Sequence, residues 1–104
     1  MAPPQVVRSA MARRDLRGLY VWIVDDSGLE RAETVVARIE AALNRLARRP
    51  LMGRVRQDYI GDPRSFSVRP WLIVYDPLPD EAGIQVLRIL DSRQDIAALM
   101  GKKS

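Results

Sequence analysis

Two consecutive segments each carry apolar side chains along a single face, and this constrains the fold more than any other feature. In residues 12–26, Leu16, Leu19, Tyr20 and Ile23 fall at i, i+3, i+4 and i+7, which predicts one amphipathic helix. Ser27-Gly28-Leu29-Glu30 reads as an S-x-x-E capping box that opens a second helix. Val36, Ile39, Leu43 and Leu46 form its stripe, Arg45, Arg48 and Arg49 suit the dipole of its last turns, and Pro50 ends it. A link of two or three residues makes the pair an antiparallel hairpin. Two helices with one apolar stripe each must cover something flat. The run Leu19–Val24 is apolar beyond that need, so Val21 or Trp22 points off the core face. Such a Trp is either a partner contact or is packed on the second helix.

The flat surface has to come from strands. Gln5–Ser9, with Val6 and Val7 behind two prolines, reads as an edge strand. Residues 50–63 read as an irregular segment with Gly53 and Gly61 at turns. Ser65–Val68 and the strongly apolar Trp71–Tyr75 read as strands around a tight Arg69-Pro70 turn, where proline's missing donor is tolerated. Residues 76–83 form a long hairpin loop, and Ile84–Leu90 is the last strand. Strict alternation places Leu87 and Ile89 on one of its faces and Val86, Arg88 and Leu90 on the other. Asp91-Ser92-Arg93 breaks the strand, and residues 94–100 form a short helix with Ile96, Leu99 and Met100 as its apolar side. Residues 101–104 read as a flexible tail. The order is β-α-α-β-β-β-α: one α+β domain over residues 1–104, a helical hairpin on a small, mostly antiparallel sheet.

Several chemistries are excluded or weakened. There is no cysteine, so there are no disulfides or thiolate metal sites, and no metal or other cofactor is expected. There is no histidine, the usual general base at neutral pH. No apolar run nears the roughly 20 residues of a membrane helix, and the N-terminal stretch lacks a signal-peptide core. A soluble cytoplasmic protein is expected. The net charge is +4, and Arg supplies 15 of the 17 basic residues. A GC-rich genome produces that bias, and so does a surface made for planar recognition of carboxylate or phosphate. Between Leu43 and Val74 seven arginines face only Asp58 and Asp62. An acidic partner or a nucleic acid would be drawn to that stretch, but the flanking Tyr59 and Trp71 lack RNA-motif spacing, so no sequence-specific nucleic-acid binding is expected.

Four segments carry a family resemblance: ARRDLRGLYVWI, ERAETVVARIEAALNRLARRPLMGR, PRSFSVRPWLIVYD and IQVLRILDSRQDI. In this order and spacing they resemble the ParE/RelE toxins of bacterial type II toxin–antitoxin modules, over nearly the whole chain. The resemblance implies one of two activities. RelE-like members are ribosome-dependent mRNA endoribonucleases that need an acid, a base and cations around a phosphate. ParE-like members poison DNA gyrase by binding it and are not known as hydrolytic enzymes. Many relatives place a His after the R-I-L strand, where this chain has Asp91, and its only lysines are Lys102 and Lys103. Tyr59 or Tyr75 could serve acid–base chemistry only with strongly shifted pKa values. The ParE-like branch is therefore favoured. The ribonuclease and a non-toxic antitoxin-binding relative are the alternatives.

The ParE-like reading implies two partners. One is a ParD-like antitoxin whose C-terminal segment lays apolar side chains in a groove and acidic ones against arginines. Its candidate contacts are Arg56, Arg64, Arg69, Trp71 and Arg88, each arginine being otherwise a solvated surface charge. The other is DNA gyrase, with Asp91, Arg93, Ile96 and Leu99 as candidate contacts. Ile96 and Leu99 could instead close the open end of the core.

Overall fold

The first helix starts earlier than its apolar period suggests, because Ser9 caps it. The Ser9 hydroxyl accepts from the Ala12 N–H (2.9 Å) and donates to the Leu87 carbonyl (2.7 Å), tying the helix start to the last strand. The computed structural model describes residues 2–101; Lys102, Lys103 and the rest of the expected tail beyond Gly101 lie outside the described residues. The elements are β1 (Gln5–Arg8), α1 (Ala10–Ser27), α2 (Leu29–Arg48), β2 (Arg54–Val55), β3 (Arg64–Val68), β4 (Trp71–Pro77), β5 (Gly83–Asp91) and α3 (Ile96–Met100), with a 3-10 turn at Pro79–Glu81. The expected α+β order is present, with β2 added inside the segment read as irregular. Two residues are too few to leave an alternating pattern.

The capping box does not form. Ser27 is the last residue of α1, its hydroxyl donates to Asp26, and α2 is capped by Gly28 without a side-chain hydrogen bond. Gly28 alone links the helices at φ 93°, a conformation a side chain would oppose, and its N–H closes α1 on the Val24 carbonyl. The apolar stripes meet as expected. Leu19 and Ile23 of α1 and Ile39, Leu43 and Leu46 of α2 are buried, while Val36 is only partly covered and Val35 takes the inner position.

The sheet runs β1-β5-β4-β3-β2, with β1 parallel to β5 at an edge and every other pair antiparallel. Gly83 permits the β1 contact: a Cβ there would sit 2.0 Å from the Gln5 carbonyl oxygen. A register shift at Val74/Tyr75 of β4 overturns the alternation expected for β5. Ile73 pairs with Ile89 but Tyr75 with Val86, so β5 spends one extra residue there. Val86 and Ile89 therefore share the helix-side core, while Leu87 and Leu90 join the other face. That second face carries its own cluster, in which Tyr59 and Ile96 cover Leu72, Val74 and Leu90. Ile96 thus closes the sheet from behind, whereas Leu99 stays 44% exposed.

Asp76, paired with Gln85 in register, is half-buried and makes no side-chain hydrogen bond among the described residues. Burial pushes its carboxyl above the ordinary carboxylate range. Because protonation then favours the folded state, Asp76→Asn should raise the melting temperature at neutral pH. The gain should shrink as pH falls through the raised folded value and vanish near the unfolded value of about 4. Parallel melting curves of both proteins from pH 7 to 4 check this, and an Asn variant that melts lower at pH 7 would contradict it.

Candidate functional site

A cleft of about 380 Å³ lies between α1, the end of β5 and α3. Buried Leu19 and Trp71 line it, and so do Trp22 and Leu99, exposed at 54% and 44%. Gly18 keeps the α1 surface open between them, since nothing lies within 4 Å of where its Cβ would be. The cleft continues along α1 into a depression of about 510 Å³ lined by Arg14, Arg17, Val21, Trp22 and Asp25. At the cleft's inner side Asp15 accepts from Arg88 Nε (2.7 Å) and Nη2 (3.0 Å), and from the Ile89 N–H (3.0 Å). Near its end Asp91 accepts from the Arg93 backbone N–H and side chain, which holds its carboxyl below the usual carboxylate range. The lining sets apolar side chains among charges of both signs, Arg14, Arg17 and Arg88 with Asp15, Asp25 and Asp91, which suits an amphipathic segment better than a small polar ligand.

The arginines singled out by sequence divide by what they already hold. Arg64 Nη1 donates to the Leu51 and Gly53 carbonyls (3.0 and 2.8 Å), pinning the segment before β2. Arg56 donates to Asp58, to the Tyr59 hydroxyl (2.7 Å) and to Ser65, and its guanidinium lies 4.4 Å from the Tyr59 ring centroid. The Asp58 hydrogen bonds hold Arg56 above its ordinary pKa. Arg88 is committed to Asp15. Arg69 is exposed, has no side-chain partner among the described residues, and lines a separate groove between α2 and β3.

The family model described as "ParE toxin of type II toxin-antitoxin system, parDE" matches residues 6–96. The chain is also similar to Toxin ParE3 of Caulobacter vibrioides, 34% identical over 100 residues, covering 96% of this chain and 98% of that one. The chain belongs to the ParE toxin family of type II toxin–antitoxin systems. Solved structures agree on the fold. The chromosomal ParDE system of Pseudomonas aeruginosa matches with a TM-score of 0.72 at 22% identity, covering 86% of this chain and 96% of that one. The RelBE2 toxin–antitoxin complex of Mycobacterium tuberculosis matches with a TM-score of 0.61 at 23% identity, covering 86% and 99%.

In this ParE chain the cleft brings together members of both expected contact sets. Trp71 and Arg88, read as antitoxin contacts, line it with Asp91 and Leu99, read as gyrase contacts. Arg56, Arg64, Arg69, Arg93 and Ile96 do not line it. Sequence reasoning missed Arg14, Arg17 and Asp15 and left Trp22 open. Trp22 is 54% exposed and lines both depressions, which favours the partner-contact reading. The signal was available: Gly18 and Trp22 are four residues apart, so they share one face of α1. Both phenols considered for acid–base work have partners. The buried Tyr75 hydroxyl donates to the Pro50 carbonyl and accepts from the Gly53 N–H (2.8 Å each), and burial pushes it further up. Tyr59 accepts from Arg56. Among the described residues no cluster of acidic side chains could hold a metal ion, and no helix is long and apolar enough to cross a membrane.

Proposed function

We propose that this ParE toxin acts on DNA gyrase by binding rather than by hydrolysis, and that a ParD-like antitoxin neutralises it by filling the α1–β5–α3 cleft. The observation that carries this is the exposed Trp22 and Leu99 above a buried apolar floor, with Arg14 and Arg17 beside them. An antitoxin segment would place an apolar side chain between the two and carboxylates against the arginines. Asp91 and Leu99 lie on the same cleft, so the segment would cover residues that meet gyrase, and neutralisation would follow from occlusion. The occupied phenol hydroxyls and the lack of histidine support a binding mechanism.

The test is a gyrase supercoiling and DNA-cleavage assay with the purified toxin, with and without its antitoxin. Lost supercoiling or trapped cleaved DNA, restored by antitoxin, is the expected result. Unaffected gyrase from folded, antitoxin-competent toxin would reject the gyrase reading and return weight to mRNA cleavage on the ribosome.

A further inference from the structure

Away from that cleft, a second groove runs between α2 and β3. Arg38 and Arg45 line it from α2, Arg69 from the β3–β4 turn, and Ala41, Ala42, Phe66, Ser67 and Val68 line it with them. Arg38 and Arg45 are seven residues apart, about two turns and 10 Å along the same helix face. No carboxylate lines the groove. Arg38 and Arg69 are exposed and have no side-chain partner among the described residues, unlike Arg56, Arg64, Arg88 and Arg93, which are bound internally. Arg45 is held over the Phe66 ring, 5.9 Å from its centroid, so one guanidinium is already oriented.

We propose that this groove binds the phosphate backbone of duplex DNA without reading its sequence. Three guanidinium groups can each grip phosphate oxygens bidentately. An acidic peptide would need large apolar anchors, and the apolar members here, Phe66 and Val68, are partly buried against the core. A single strand would need an aromatic stacking platform, and Phe66 is partly buried beneath Arg45. The backbone of a duplex needs only cations at spacings it can follow. The groove shares no lining residue with the α1–β5–α3 cleft, so the proposal does not depend on the reading of that cleft.

The test uses the full chain and a fluorescein-labelled 20-base-pair duplex of arbitrary sequence, at 50 and 200 mM salt. Three neutralised phosphates give a salt slope of about −2.7, hence an affinity loss of roughly 40-fold between those concentrations. The triple variant Arg38→Gln, Arg45→Gln, Arg69→Gln should lose at least tenfold at 50 mM salt and most of that slope. A control triple, Arg13→Gln, Arg48→Gln, Arg54→Gln, removes the same charge elsewhere and should stay within about threefold of wild type. Equal losses in the two triples would reduce the effect to net charge and overturn the proposal. So would undetectable binding at 50 mM, tighter binding of single-stranded than duplex probe, or loss of antitoxin affinity in the groove triple with DNA binding intact.

Discussion

Asp15→Ala should lower the unfolding free energy by about 3 kcal/mol, a large part of the roughly 5–15 kcal/mol that holds a small domain together. Asp15 and Arg88 have side chains only 14% and 15% exposed, and the carboxylate takes three hydrogen bonds. Truncation would leave a largely buried guanidinium without its anion and the Ile89 N–H without an acceptor, two costs that add. The residual exposure lets water reach the site, which places the effect at the low end of the range for a broken buried pair. Asp15→Ala combined with Arg88→Met should recover much of the loss, because the stranded charge goes with its partner. Urea unfolding of the wild type and the two variants measures this. A loss under 1 kcal/mol in Asp15→Ala would mean that water replaces the carboxylate and that the pair is not a structural tie. For the same reason, charge reversal at Arg88 or Arg64 would report on the fold before it reported on any partner.

Trp22→Ala should weaken antitoxin binding roughly 30- to 150-fold, the 2–3 kcal/mol typical of an aromatic anchor at an interface centre. Its effect on stability should stay near 0.5 kcal/mol, since the side chain is 54% exposed in the free toxin. Leu99→Ala should weaken the same complex less, and Arg69→Ala, outside the cleft, should leave it unchanged. Calorimetric titration of the cognate antitoxin into each variant, with melting curves alongside, separates lost contact from lost fold. Undiminished affinity in Trp22→Ala would remove α1 from the antitoxin interface.

The parts of the fold legible in the sequence are those set by near neighbours. Leu19 and Ile23, or Ile39, Leu43 and Leu46, announce a buried helix face through spacing alone, and Trp71–Tyr75 announces a central strand through its run of apolar residues. What was not legible depends on distant partners. The extra β5 residue opposite Val74/Tyr75 exists only once β4 and β5 are paired, so Val86 and Leu87 changed faces relative to a strict alternation. Arg64 and Arg88 read as antitoxin contacts or solvated charges, not as internal ties, because their partners lie 11 to 73 residues away in the chain. The Ser27 capping box failed because a single glycine was enough to join the helices, which left the serine inside α1. The cleft was half visible. The surplus of apolar residues in Leu19–Val24 pointed to Trp22, but only the folded chain sets Leu99 on the same cleft.

The pairing of β1 with β5 has a temporal meaning. Gln5 lies beside Gly83 and Arg8 beside Val86, so β1 has no strand to pair with until β5 has left the ribosome. The central strand β4 needs that same β5 on one side. A nascent chain can therefore form its helical hairpin early, yet it cannot assemble the sheet, or the cleft against it, until β5 has emerged. The hairpin thus precedes the surface it helps to build, and the cleft comes into being in one step, when β5 joins the sheet.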